Sequence, residues 1–243
     1  MLILGKSDVG RVRDVNQDNY SCCVCCDSVG WAVVCDGMGG ANGGNIASEI
    51  AINSIKEQFE RNISSNTTPN SIKMIMTSAV AAANSLIYSK AQKNKELEGM
   101  GTTLVCVVVK DRIAYIMHAG DSRLYRVRNG EAERITKDHS LVQMLVDSGE
   151  ITSAEATTHP KKNYITKALG VYPEIECEYN EIECGEYDTI VLCSDGLTNY
   201  ISDEQLGAIT EQTAIIQLPE RFVETANVLG GADNITAVVL SQF

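Results

Sequence analysis

The residues with the clearest chemical potential in this chain are aspartates standing where buried strands are expected to end. Asp36 follows the apolar run 31–35, Asp195 follows 190–193 and Ser194, Asp121 follows 113–119 and Gly120, and Asp233 lies just before the apolar run 235–240. Three of them adjoin glycine, as Asp36-Gly37, Gly120-Asp121 and Asp195-Gly196, and Asp233 adjoins Asn234. A carboxylate at the edge of a buried strand borders low-dielectric surroundings, and several brought together repel one another and are driven to protonate. A hard divalent cation removes that repulsion, and oxygen-only ligands select Mg²⁺, Mn²⁺ or Ca²⁺. Taken singly, each aspartate also reads as a turn residue, because Asp beside Gly is ordinary turn composition.

Other patterns carry less. Cys106 and Arg112 have the Cys-x5-Arg spacing of cysteine-dependent phosphatases, but the residues between them are Val-Val-Val-Lys-Asp, a strand running into a turn with no glycine to expose N–H groups to phosphate. The glycine-rich loop 37–44 fails the dinucleotide pattern because Asn42 takes the third glycine's place, and no Gly-Lys-Ser/Thr follows. Cys22, Cys23, Cys25 and Cys26 lack a second pair at zinc-site spacing, since Cys177 and Cys184 stand too far apart, and they read as small apolar strand residues. His118 reads as a core histidine inside a strand near Asp121, while His139 and His159 flank a loop-rich stretch.

These residues need a scaffold. The chain has 243 residues, enough for one substantial core. Its 20 Lys and Arg against 32 Asp and Glu give a net charge of −12, which excludes a general nucleic-acid or anionic-membrane binder. No apolar run is long enough for a signal or a membrane span, and nine cysteines without a secretion signal read as reduced thiols, so a cytoplasmic protein is expected.

Strands are expected at 20–26 and 30–35, joined by a turn at Asp27-Ser28. Ile46, Ile50, Ile55 and Phe59 predict a helix; Ile72, Met76, Ala79, Ala83, Leu86 and Ile87 predict a longer one, starting at Pro69-Asn70 and ending at Gly99. Strands follow at 102–109, 113–119 and 124–127, with turns at Lys110-Asp111, Gly120-Asp121 and Asn129-Gly130. A short helix at 140–146, capping boxes at Thr152/Glu155 and Ser202/Gln205, and Pro219 in the first turn of a last helix complete the helical signals. Strands at 174–182, 188–193 and 235–240 complete the set. Strands and helices come in clusters rather than in βαβ alternation, so the fold class is α+β, one domain of antiparallel sheets covered by helices.

Taken together, the motifs resemble the metal-dependent protein phosphatases of type 2C in their bacterial form. They are Arg11-Val12-Arg13-Asp14-Val15-Asn16-Gln17-Asp18, Asp36-Gly37-Met38-Gly39-Gly40, Gly99-Met100-Gly101-Thr102-Thr103, Gly120-Asp121-Ser122-Arg123, Ser194-Asp195-Gly196-Leu197 and Asp233-Asn234-Ile235-Thr236, in the family's order. Asp138-His139-Ser140, His159-Pro160 and Ala168-Leu169-Gly170 resemble its intermediate segment, and the matches run from near residue 7 to residue 240. The resemblance implies a four-layer α-β-β-α sandwich, two central antiparallel sheets flanked by helix pairs, over residues 1–243, with a flap-like segment at about 140–170.

It also implies a binuclear Mn²⁺ or Mg²⁺ centre, with a third, weaker ion. Asp36 would bridge the metals, Gly37 would offer its carbonyl, Asp195 and Asp233 would hold the first metal, Asp18 would stand in or behind the shell, and Asp121 would form the third site with Asp195. Arg13 would bind the substrate phosphate, and His159 on the flap would be a candidate substrate contact, its other reading being a solvated loop histidine. The activity implied is hydrolysis of phosphoserine and phosphothreonine in proteins by direct attack of a metal-bridging water or hydroxide, with no phosphoenzyme. Many relatives carry His after the Asp-Gly of the second motif; Met38 cannot donate a proton, so protonation of the leaving oxygen falls to another group. A monomer working opposite a Ser/Thr kinase is expected. A binding module without catalysis is the competing class, and the retention of every expected carboxylate argues against it.

Overall fold

A computed structural model describes residues 1–26, 28–39 and 43–243. Asp27 of the expected turn, and Gly40 and Asn42 of the glycine-rich loop, lie outside the described residues. The chain runs β1 (Leu2–Asp8), β2 (Asp18–Cys26), β3 (Val29–Met38), α1 (Gly44–Asn62), α2 (Pro69–Lys93), β4 (Gly101–Thr102), β5 (Leu104–Lys110), β6 (Ile113–Ala119), β7 (Arg123–Arg128), β8 (Glu131–Arg134), α3 (Leu141–Asp147), α4 (Ser153–Thr158), β9 (Glu178–Glu183), β10 (Thr189–Cys193), α5 (Asp195–Thr198), α6 (Asp203–Gln212), α7 (Leu218–Leu229) and β11 (Ile235–Ser241).

The strands form two sheets, ordered β1-β11-β10-β7-β8 and β2-β3-β5-β6-β9, and every pairing is antiparallel. The apolar runs are continuous because the central strands are buried on both faces. In β3, Trp31, Val33 and Cys35 pack toward α1 and α2, while Ala32 and Val34 face the other sheet. In β11, Ile235, Ala237 and Val239 pack under α5, α6 and α7, while Val238 and Leu240 face the sheet-to-sheet core. The period of two thus builds three apolar layers between four structural ones, the expected sandwich. Trp31 is fully buried and meets Phe59 of α1 edge-on, ring centroids 5.7 Å apart. No described helix is long and apolar enough to cross a membrane.

The helices follow their signals with two exceptions. Both capping boxes form, the first with Thr152 N–H donating to Glu155 at 2.7 Å and Glu155 N–H donating to Thr152 at 3.2 Å. The long helix stops at Lys93, short of Gly99, because Asn94 turns extended and its side chain caps a 3₁₀ turn by accepting from Glu96 N–H. Leu86, expected on its buried face, is exposed.

Three strand expectations change. β1 forms although Gly5-Lys6 interrupts its apolar pattern: the Tyr20 ring covers Gly5, where a Cβ would come within 2.4 Å, and Tyr20 OH donates to the Gly5 carbonyl. β8 is a polar edge strand invisible to an apolar pattern. The strand expected from residue 174 begins at Glu178, because Asn84 of α2 holds the incoming chain, donating to the carbonyls of Tyr172 and Pro173 and accepting from Gly170 N–H.

The loop entering β10 is pinned by Asp188. Its carboxylate accepts a bidentate pair from Arg128, both at 2.7 Å, and Gly185 N–H at 2.7 Å. Arg128 holds this carboxyl below its ordinary value, so its contribution to stability is present above the unfolded value near 4 and is lost as pH falls through the folded one. Asp188→Asn is therefore expected to lower the thermal midpoint at pH 7, and the gap to the parent should close below about pH 4. A gap that does not change with pH would contradict this.

Candidate active site

At one end of the sandwich, the ends of β3 and β6, the start of α5 and the loop before β11 converge on a cleft of about 780 Å³. Asp36, Gly37, Asp121, Asp195, Asp233 and Arg13 all line it. Asp18 sits directly behind, 4% exposed, its backbone paired with Asp36 across β2 and β3.

Hydrogen bonds fix the backbone that carries these carboxylates at Asp36, beside Asp121 and beside Asp233. Asp36 N–H donates to Thr103 Oγ1 at 2.9 Å, and its carbonyl accepts from Thr103 N–H at 2.8 Å and from Thr102 Oγ1 at 2.9 Å. The Thr103 hydroxyl also shares a hydrogen bond with Ser122 at 2.7 Å, tying the Asp36 strand to the Asp121 loop. Asn234 clamps the loop that carries Arg13: it donates to the carbonyls of Val9 and Val15 and accepts from Gln17 N–H. Two glycines permit this closeness. A Cβ on Gly37 would lie 2.0 Å from the Gly44 carbonyl, and one on Gly196 would lie 2.0 Å from the Asn234 carbonyl.

The electrostatics are those of an acidic cluster short of positive charge. Burial, reinforced by repulsion from neighbouring carboxylates, pushes Asp36 well above the usual range, Asp121 up to about 8, and Asp195 upward. Burial raises Asp18 to about 7, although Ser194 and Thr236 donate to its Oδ2 at 2.6 and 2.7 Å. Its Oδ1 is buried with no hydrogen-bond partner among the described residues. Arg13 lies at the rim, its Nη2 donating to Asp233 Oδ2 at 2.8 Å.

These observations fit divalent cations. The donors are all oxygens, as hard cations require, and an orphaned buried carboxylate oxygen has an unmet need for a positive partner. The cleft can therefore hold cations on its floor and an anion at its rim.

The intermediate segment reaches the cleft through Asn163 and Ile165. His159 is not among the lining residues; it ends α4, where its Nδ1 accepts from Lys161 N–H. Neither Asn163 nor Ile165 carries a sequence signal. Thr103 lies inside a motif, but its cross-link to Ser122 is visible only in three dimensions. Cys106 is buried in β5, with no phosphate-binding loop after it, and Cys22 to Cys26 lie in β2 as free thiols.

The family model described as protein phosphatase 2C matches residues 9–237. The serine/threonine phosphatase stp of Listeria welshimeri is 33% identical over 238 residues, spanning 98% of this chain and 94% of its own. A serine/threonine phosphatase of Staphylococcus aureus superposes with a TM-score of 0.92 at 32% identity, over 98% of this chain and 94% of that one. The catalytic domain of the serine/threonine protein phosphatase PstP, solved with two manganese ions, superposes with a TM-score of 0.85 at 33% identity, over 98% and 96%. With its matched sandwich and its carboxylate cleft, the chain belongs to the protein phosphatase 2C family.

Proposed function

We propose that this protein is a metal-dependent protein serine/threonine phosphatase whose reaction takes place in the carboxylate cleft. The observation that carries the reading is the pairing of an all-oxygen floor, including the orphaned Asp18 Oδ1, with a guanidinium at the rim. Asp36, Asp195, Asp233 and the Gly37 carbonyl would hold a pair of Mn²⁺ or Mg²⁺ ions, with Asp18 behind them. Asp121 and Asp195 would hold a third, weaker one. When bound, such ions neutralise developing charge on the phosphoryl group and lower the pKa of the water they hold.

The chain's own groups then have defined tasks. Arg13 grips two phosphate oxygens with its planar fork, orienting phosphorus over the carboxylate floor. Among the described residues lining the cleft there is no Cys, Ser or His to be phosphorylated, and the Thr103 hydroxyl is committed to Asp36 and Ser122. With the aspartates engaged as cation ligands, we take hydrolysis to be direct, by water and without a phosphoenzyme. Met38 lines the cleft and offers no proton, so the leaving oxygen takes its proton from water.

The substrates would be phosphoserine and phosphothreonine in proteins, placed there by a Ser/Thr kinase in the same compartment, which we take to be the cytoplasm. The whole chain would act as one catalytic domain and a monomer, with residues 140–170 as a flap over the cleft. The test is hydrolysis of a phosphothreonine peptide and of p-nitrophenyl phosphate with Mn²⁺ and then with EDTA. Both activities should disappear with the metal; equal rates in EDTA would overturn the reading.

A further inference from the structure

His118, His139 and Glu178 meet beside the cleft, outside its lining. The imidazoles are stacked, centroids 4.7 Å apart and planes within 7° of parallel. Glu178 Oε2 lies 3.5 Å from His139 Nε2 and 4.0 Å from His118 Nε2. The trio invites a cation, but its geometry argues for another role. Nitrogen lone pairs lie in the ring plane, and two parallel planes share no point at which both can be directed. His118 Nε2 already donates to the Lys137 carbonyl at 2.9 Å.

His139 is instead joined to the cleft's frame. Its Nδ1 accepts from Gly120 N–H at 3.2 Å, and its own N–H donates to the Gly120 carbonyl at 2.9 Å. Its carbonyl accepts from Thr166 N–H at 2.7 Å, next to Ile165, which lines the cleft and bridges to Ser140. One residue therefore grips both polar groups of the glycine preceding Asp121 and the flap segment opposite. Gly120 has φ +107, with Thr103 where a Cβ would be, so its peptide conformation is held by its surroundings. Burial, then His118, keeps the His139 ring neutral down to about 4. With Nδ1 accepting, the proton sits on Nε2, facing Glu178.

We infer that His139 is a positioning residue: its Nδ1 locks the Gly120 peptide, and through it sets Asp121 against the flap edge at residues 164–166. His118 supports the ring from behind, and Glu178 fixes its tautomer. The effect on activity rests on the phosphatase reading above; the effect on Gly120 does not.

Three variants separate this from simple packing. Asn places an amide oxygen where Nδ1 stands, Gln places its nitrogen near Nε2, and Ala removes both. His139→Gln and His139→Ala should lose amide-exchange protection at Gly120 and raise the Mn²⁺ concentration for half-maximal activity about tenfold. His139→Asn should keep protection at Gly120 and stay within about threefold of the parent in Mn²⁺ requirement. Thermal midpoints, read in parallel, confirm that each variant is folded. If Asn behaves like Ala, or Gln leaves Gly120 protected, the ring serves only as core filling and the inference is overturned. If the parent shows no metal-dependent activity, the phosphatase reading fails, and Gly120 exchange still decides this one.

Discussion

Asp36→Asn is expected to cut Mn²⁺-dependent hydrolysis of a phosphothreonine peptide by about three orders of magnitude or more, and to raise the thermal midpoint of the metal-free protein. Asn keeps the shape of the side chain while removing its charge. Loss of an outer hydrogen-bond partner of a metal ligand typically costs about 10–100-fold, and Asp36 is proposed as the bridging ligand itself. The opposite effect on stability follows from the same position. Asp36 stands half-buried among Asp18, Asp195, Asp121 and Asp233, and desolvation, reinforced by their repulsion, pushes its carboxyl well above the usual range. Without a cation that arrangement is a strain on the fold, and a neutral amide relieves it. Calorimetry in EDTA and initial rates in Mn²⁺ check the two halves separately. A variant that loses activity together with thermal stability would mark Asp36 as structural rather than as a cation ligand.

Arg13 carries the second large expectation. Its side chain is 55% exposed, so the fold does not depend on it, and it pairs with Asp233 at the rim. Arg13→Ala should raise KM for a phosphothreonine peptide by about 10- to 100-fold, the range for losing one or two charge-assisted hydrogen bonds. Arg13→Lys should recover only part of this, because an ammonium restores charge without the planar fork. The thermal midpoint should move little in either variant. Full recovery by Lys would mean that the rim supplies only positive charge and no bidentate grip.

The parts of this molecule legible in its sequence are those where local pattern and tertiary environment agree. β3, β6, β10 and β11 are buried on both faces, so their apolar runs are unbroken and the aspartates at their ends stand out. The helix caps are local chemistry and form as read. β1 and β8 escaped the pattern because edge strands need only one neighbour and one apolar face. Gly5 weakens a strand on paper, yet the Tyr20 ring completes it from another element. The same limit applies at the cleft. The carboxylates and Arg13 lie in motifs, whereas Asn163 and Ile165 arrive by the path of a long segment that follows no short-range rule. The grip of His139 on Gly120 joins residues nineteen positions apart and needs a positive φ that only the folded loop reveals.

The pairing of β1 with β11 brings Leu2 opposite Ser241, so one sheet is closed by the two ends of the chain. Asp233, just before β11, lines the cleft, and Asp18, at the start of β2, stands behind it. The sheet β2-β3-β5-β6 with α1 and α2 has its own core, but the cleft lacks one of its carboxylates and its Asn234 clamp until β11 and the loop before it are in place. Such long-range closure is slow, because the whole intervening loop must be ordered first. Completion of the cleft is thus tied to the pairing of β11 with β1 and β10, and anything that unpairs that seam displaces Asp233 and the Asn234 clamp together.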